Sequence, residues 1–340
     1  MAAKDDALSM STRILPSELK SLFCERLSLS KPTQVQSKAW PLLIQRKNAV
    51  VVAVRCLRSR RTKHTHTHET LKQPTGSGKT LTYLLPTIVN KNKIEKNDNK
   101  VYAPMCLILA PTRELAQQIS SVCKKLEKPM CIVGGVSRET QIENMRAMHC
   151  DILIATPGRL IDLVETENLT LRDVSTLVVD EADRMIDIGL VDQVKKIHDW
   201  CNRSDRQTVL LSASMAEKAD FIDTIVPKPR EELYLDADTV RDVHVGISSH
   251  ITQTVHVCAT HKKTKKLMKF IRKLNKEDSG KRHKTSILIF CNTKKTVGFV
   301  NTFLRKQNER VCALHGDMTQ SLRNNAISEF KSGKKRILVS

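Results

Sequence analysis

Two short segments of the 340-residue chain carry residue types suited to handling a phosphorylated ligand. The first is Pro74-Thr75-Gly76-Ser77-Gly78-Lys79-Thr80. Closely spaced glycines let backbone N–H groups come up against phosphate oxygens. The apolar run Leu81–Leu85 that follows predicts a helix whose N-terminus adds positive potential. In that setting Lys79 reaches the outer phosphates and the Thr80 hydroxyl ligates Mg²⁺. The bland alternative is a chance Gly/Ser turn ahead of a lysine. The second segment, Leu177-Val178-Val179-Asp180-Glu181-Ala182-Asp183, ends an apolar run on carboxylates. A strand of this kind delivers Asp180 to the edge of a sheet, where it would ligate Mg²⁺ on a nucleotide. Glu181 is then placed to orient and deprotonate an attacking water. An isolated Asp-Glu pair is also a common helix N-cap, and the glycine-rich segment upstream favours the chemical reading.

These residues need a scaffold, and the surrounding pattern supplies one. Short β-branched runs at Asn48–Ala53, Cys106–Ala110, Met130–Val133, Ile152–Ala155, Thr176–Val179 and Thr208–Ser212 alternate with helical stretches such as Leu115–Leu126 and Val191–Trp200. Apolar strands separated by helices imply βαβ units and a parallel sheet covered on both faces, an α/β architecture. A composition shift at Pro227-Lys228-Pro229 opens a loosely patterned stretch to His250 that reads as a linker. A second alternation follows: strand near Gln253–Val257, helix 261–274, strand 286–290, helix 294–307, strand 311–314, helix 319–331 and strand 336–339. The expected division is an N-terminal segment 1–30, a nucleotide-binding domain 31–228, a linker 229–250, and a second parallel-sheet domain 251–340 that ends on its fourth strand.

Composition narrows the partners. With 40% hydrophobic and 27% charged residues the chain can bury a core, which excludes a mainly disordered or collagen-like protein. No unbroken apolar run has the length of a membrane span, so no membrane partner is expected. The formal net charge is +21. Residues 231–340 carry 22 basic and 10 acidic side chains, more than half of the excess. A field of this kind attracts RNA or DNA through its phosphates, although any one lysine cluster is also compatible with a solvated face. Ten cysteines with no C-x-x-C pair suit reduced thiols in an intracellular protein.

Taken together, these residues resemble those of the DEAD-box ATP-dependent RNA helicases of superfamily 2. Asp180-Glu-Ala-Asp183 is the name-giving tetrapeptide, and further blocks follow in the family's order. Pro32-Thr-Gln-Val-Gln36 resembles the adenine-reading block, which implies that Gln36 hydrogen-bonds the adenine edge. Pro74, Thr75, Gly76, Ser77, Gly78, Lys79 and Thr80 would cradle ATP. Pro111, Thr112 and Arg113, with Gly134 and Gly135, then Thr156, Pro157, Gly158 and Arg159, match blocks that hold the RNA backbone. Ser212-Ala-Ser214 stands where the family has Ser-Ala-Thr, so Asp183, Ser212 and Ser214 would couple the nucleotide site to RNA. In the second domain Ile287-Leu-Ile-Phe-Cys-Asn292 and His315-Gly-Asp317, with Gln320 and Arg323, resemble further blocks, Asn292 being an RNA contact.

The resemblance implies two RecA-like parallel-sheet domains in tandem, the second incomplete. It implies ATP and Mg²⁺ as cofactors, and RNA bound through its backbone without sequence choice. The activity implied is RNA-stimulated ATP hydrolysis coupled to duplex unwinding or remodelling, in the nucleus, nucleolus or cytoplasm. The residues themselves fit such a grip: Thr112, Arg113, Thr156 and Arg159 can hold phosphates. Aromatic residues are only 4% of the chain, so stacking platforms for bases are scarce.

Two departures bear on this expectation. Residues 54–73 interrupt an otherwise continuous Val-Val-Val-Ala-Pro-Thr-Gly-Ser-Gly-Lys-Thr. This basic insertion alternates His64, His66 and His68 with threonine, which reads as low complexity rather than a metal site. It also fits a translated intron, since His-Thr-His-Thr is what a CA repeat encodes; sequencing the mature transcript decides this. Closing the insertion as a loop costs about 2.7 kcal/mol plus a constant, so an intact phosphate loop is compatible with it. The second departure is that the family's Thr-Asp and arginine-bearing blocks have no counterpart up to Ser340. An arginine in such a site is worth about 10³–10⁵ in rate. The expectation is therefore weak hydrolysis by the chain as written, with a non-catalytic RNA-binding or regulatory fragment as the alternative.

Overall fold

A computed structural model describes residues 16–29, 31–53, 78–91, 101–148, 150–213, 219–235, 252, 254–280 and 284–340. The chain forms two compact units, Met1–Ile251 and Thr252–Ser340.

In the first unit seven strands form one parallel sheet in the order β3-β4-β2-β5-β6-β1-β7. They are β1 (Ala49–Ala53), β2 (Cys106–Leu109), β3 (Met130–Ile132), β4 (Ile152–Ala155), β5 (Thr176–Val179), β6 (Gln207–Ser212) and β7 (Glu231–Leu235). Every residue of β2, β4, β5 and β6 is buried, as expected of strands covered on both faces. Alternate side chains separate into two cores. Val51, Ile108, Ile154, Val178 and Leu211 join one; Val50, Val52, Leu107, Leu109, Leu153, Leu177 and Leu210 join the other.

The first core is closed by α1 (Ser17–Lys20), which continues as a π-helical turn Ser21–Arg26, and by α2 (Gln34–Ile44), α3 (Lys79–Lys91) and α4 (Arg113–Cys123). Residues 17–26, expected to belong to a separate N-terminal segment, thus pack on this layer. Phe23 meets Trp40 edge to face at 5.3 Å between ring centroids. The second core is closed by α5 (Arg138–Ala147), α6 (Pro157–Glu165), α7 (Ala182–Asp187), α8 (Val191–Trp200) and α9 (Ala219–Ile225).

One expectation needs correction here. The supposed linker 229–250 contributes β7, which pairs in parallel with β1, Val50 opposite Glu232 and Val51 opposite Leu233. Having one neighbour only, this edge strand tolerates the adjacent glutamates that disguise it in the sequence.

The second unit has a three-stranded parallel sheet in the order β8-β10-β9, with β8 (Ile287–Ile289), β9 (Val311–Ala313) and β10 (Ile337–Val339). The helices α10 (Lys263–Glu277) and α11 (Lys294–Lys306) supply Met268, Ile271, Val297, Val300 and Leu304 to one face. On the other, α12 (Gln320–Lys331) packs Ala326 against Cys312 and Leu338. The strand expected near 253–257 does not form among the described residues: Val255 and Val257 are 85% and 93% exposed. Apolar alternation marks a strand only where a neighbouring strand takes its backbone groups. The last strand, β10, is therefore the third of this sheet rather than the fourth. Inside the unit the Arg336 guanidinium, 6% exposed, donates to Asp278 Oδ2 at 2.9 Å and to the Thr285 carbonyl at 2.7 Å.

Among the described residues no helix is long and apolar enough to cross a membrane, and all nine described cysteines are free thiols.

Candidate functional site

The carboxyl ends of parallel strands are where α/β sheets receive ligands, and here they carry the predicted residues. β5 ends at Val179 and hands Asp180 to that edge, where its N–H donates to the Leu109 carbonyl of neighbouring β2 at 3.0 Å. The chain then turns abruptly through Glu181, a non-glycine residue at φ +53° that precedes α7. Such a conformation persists only where the surroundings fix it, which is common at functional sites. Lys79, at the start of α3, meets Asp180, Glu181, Asp183, Ser212 and Ala213 around one cleft of about 210 Å³.

Asp180 is buried and held from two sides. Its Oδ1 accepts the Glu181 N–H at 2.9 Å, and its Oδ2 accepts the Tyr83 hydroxyl at 2.9 Å. Burial pushes the Asp180 carboxyl up to about 6, while the Tyr83 hydroxyl, the Glu181 N–H and the Lys79 charge restrain the rise. Burial, with Asp180 beside it, drives the Tyr83 phenol well above its ordinary value, so it acts as donor. Asp183 reaches the other way: its Oδ2 accepts the Ala213 N–H at 3.3 Å, joining the acidic turn to the segment after β6. Ser212 lies in the same wall.

Hard carboxylate oxygens beside an ammonium suit a polyphosphate with Mg²⁺, an ion that takes one or two carboxylates and completes its shell with phosphate oxygens and water. Among the described residues no three His, Cys, Asp or Glu side chains are grouped to hold a metal by themselves. Thr80, expected beside Asp180, is buried on the first turn of α3 and does not line the cleft.

Gln36 is engaged within the chain. It is 2% exposed, its Oε1 accepts the Thr33 N–H at 2.8 Å, and its Nε2 donates to the Gly78 carbonyl at 3.0 Å. These bonds tie α2 to the end of the glycine-rich segment and leave a second N–H and a second lone pair of the amide for other partners. Gly78 sits at φ +73°, and a Cβ there would fall 2.5 Å from Gln36 Nε2, so only glycine fits. Pro74–Ser77, Ser214 and the insertion 54–73 lie outside the described residues.

The predicted RNA-contacting residues of the first unit come together at the carboxyl ends of three adjacent strands, β2, β4 and β3. After β2, Pro111 is buried and Thr112 caps α4 by accepting the Leu115 N–H at 3.3 Å. The Arg113 guanidinium lies across Gly134, where a Cβ would sit 3.1 Å from Nη2. After β3, Gly135 takes φ +77°. Gln141 clasps this loop, exchanging bonds of 3.2 and 3.0 Å with the backbone of Val133. After β4, Thr156 leads into Pro157 and Gly158 at the start of α6, and Arg159 Nη1 donates to the Val136 carbonyl at 3.0 Å. Two helix N-termini, of α4 and α6, thus open on this edge and favour anionic groups. Asn292 follows β8 in the second unit, beside Thr293, which caps α11.

Tyr83 and Gln141 escaped the sequence reading. Tyr83 hides in the apolar run of α3, and only its spacing to Asp180 in three dimensions reveals it. Gln141 is a buried polar residue on a helix whose exposed positions are equally polar.

Residues 33–222 match the DEAD/DEAH box helicase family, and residues 250–340 match the helicase conserved C-terminal domain. The ATP-dependent RNA helicase dbp2 of Aspergillus clavatus is 36% identical, over 95% of this chain and 53% of its own length. The corresponding proteins of Candida albicans and Schizosaccharomyces pombe are each 35% identical, over 91% and 93% of this chain and 50% and 52% of theirs. The chain therefore spans about half the length of the curated relatives it matches. A DEAD box protein from Methanococcus jannaschii superposes with a TM-score of 0.51 at 27% identity, covering 96% of this chain and 78% of that one. S. cerevisiae Dbp5 bound to RNA and ADP BeF3 superposes with a TM-score of 0.72 at 24% identity, over 97% and 75% of the two chains, a likeness of fold.

Proposed function

Because the chain belongs to the DEAD/DEAH box helicase family, we propose that it works as an ATP-dependent RNA helicase, hydrolysing ATP in response to RNA and separating or remodelling short duplexes. The observation that carries this reading is the meeting of Lys79, Asp180, Glu181 and Asp183 around one cleft, with Asp183 bonded to Ala213.

In this reading Lys79 neutralises the outer phosphates and Asp180 would hold Mg²⁺, with Thr80 able to join it only if its buried hydroxyl turns into the cleft. The bound ion supplies charge neutralisation on the transferred phosphoryl group. Glu181 orients and deprotonates the attacking water. Gln36 keeps the Gly78 turn in register with α2. Asp183, through Ala213, and the neighbouring Ser212 relay a change in the cleft to the segment after β6. RNA lies over Thr112, Arg113, Gly134, Gly135 and Thr156–Arg159 of the first unit, and Asn292 of the second unit is a contact in its own right. These loops offer amides, hydroxyls and guanidinium groups, which grip phosphates and sugars and leave base identity unread. The free thiols support an intracellular setting.

The test is phosphate release by purified chain with and without single-stranded RNA, using Glu181→Gln as control. RNA should raise the rate and Glu181→Gln should abolish it. RNA binding without phosphate release above the Glu181→Gln control would favour a non-catalytic RNA-binding role. Competition by DNA of equal sequence on equal terms would remove the RNA preference.

A further inference from the structure

The helix α10 carries an arrangement of charge that the nucleotide cleft and the strand-end loops do not use. Lys262, Lys263, Lys265, Lys266, Lys269, Arg272, Lys273 and Lys276 are all exposed. Among the described residues, Lys273 alone of the eight has an acidic partner, Glu277 at 3.8 Å. At 3.6 residues per turn, Lys262, Lys266, Lys269, Lys273 and Lys276 fall along one stripe, with Lys265 and Arg272 on its flank. The opposite stripe holds Met268 and Ile271, packed into the core of the unit. At 1.5 Å per residue the basic stripe runs about 21 Å, long enough to follow several consecutive phosphates.

Two features set this face apart from a solubilising one. Solvated helices mix signs, as α8 does with Asp192, Lys195, Lys196 and Asp199. In α10 the first turn contains no acid at all, although cations there oppose the helix dipole and one another. An anionic partner would relieve both effects. Phe270, 52% exposed, lies one turn from both Lys266 and Lys273 and offers a ring on which an unpaired base can stack. A membrane surface is the other polyanion that basic amphipathic helices meet, but here the apolar stripe is already spent on the core.

We propose that the basic face of α10 is a second RNA-binding surface, taking the phosphates of a single strand irrespective of sequence. This rests on the RNA-binding reading above and adds an interaction outside the strand-end loops.

The experiment measures anisotropy of a labelled 20-nucleotide single-stranded RNA with the full chain between 50 and 200 mM KCl. It compares the unaltered chain with K266Q/K269Q/K273Q/K276Q, with the matching Lys→Arg variant, and with K124Q/K125Q/K128Q, which removes exposed charge from the other unit. Each phosphate deprived of its lysine lowers the salt slope by about 0.7. The quadruple glutamine variant should therefore lose roughly 3 from the slope and at least tenfold in affinity at 100 mM salt. The arginine variant should restore both, and the Lys124 set should leave both unchanged. Equal losses in the Lys124 set would reduce the effect to net charge and overturn the proposal. Normal RNA binding by the quadruple variant would overturn it and leave the helicase reading standing, as would dependence of phosphatidylserine-vesicle binding alone on these lysines. Failure of the unaltered chain to bind RNA would overturn both.

Discussion

Replacing Tyr83 by Phe removes one oxygen atom from the interior of the first unit. The ring stays where it was, so no cavity forms, and the whole effect falls on the bond to Asp180. Tyr83 is fully buried and Asp180 is 4% exposed, with 2.9 Å between hydroxyl and Oδ2. A hydrogen bond to a charged group contributes about 1.5–3 kcal/mol, and an acceptor left bare in the interior loses comparably. At about 2 kcal/mol, a unit of this size should melt roughly 4–8 °C lower. Urea denaturation of the single variants Tyr83→Phe and Asp180→Ala and of the double variant separates the bond from its surroundings. The cycle should return a coupling of at least about 1.5 kcal/mol, since the pair shares one buried bond. The same hydroxyl fixes the orientation of the carboxylate proposed to hold Mg²⁺. Losing a partner of this kind costs about 10–100-fold in metal affinity, so the Mg²⁺ concentration giving half-maximal binding of a fluorescent ATP analogue should rise by at least tenfold. A coupling below about 0.5 kcal/mol, together with an unmoved Mg²⁺ midpoint, would refute the assignment of Tyr83 as a positioning residue.

Gly78→Ala should weaken ATP-analogue binding and lower stability by about 1 kcal/mol or more, because its Cβ meets Gln36 at 2.5 Å; Gly158→Ala, with its nearest neighbour at 3.6 Å, should be stable by the same melting measurement. Asp278→Ala should strip the buried Arg336 of its anionic partner and cost the second unit about 3–5 kcal/mol, read as earlier proteolysis of residues 252–340; an unchanged digestion profile would count against the clamp. Burial pushes the thiols of Cys106, Cys123 and Cys201 up to about 12. As thiolate is the reactive form, their alkylation at pH 8 should be slow, increase as pH rises towards 12, and become complete in urea, whereas exposed Cys24 should react before them; mass spectrometry of the labelled peptides checks the order.

How far the sequence reveals this molecule depends on how local each cause is. Val50–Val52, Ile152–Ile154 and Leu177–Val179 announce themselves because a strand buried on both faces must be apolar at every position. Glu231-Glu232-Leu233-Tyr234-Leu235 does not, because an edge strand answers to one neighbour and can carry charge. The alternation at Val255 and Val257 misled for the complementary reason: a pattern is no strand without a partner. In the cleft, Lys79 and Asp180–Asp183 are legible since each lies within a few residues of the turn that presents it. The bonds Tyr83–Asp180 and Gln36–Gly78 span 97 and 42 residues of chain, and nothing local encodes them. Gln36 shows the limit of a resemblance, which names the residue and leaves open what its amide touches.

Calorimetric titration of ATP into the chain, with and without Mg²⁺ and repeated with Lys79→Ala and Asp180→Asn, tests most directly whether these groups form one nucleotide site. Binding should require Mg²⁺ and weaken at least tenfold in each variant, the equivalent of about 1.4 kcal/mol. Binding of equal strength in both variants, or without the metal, would contradict the site described above.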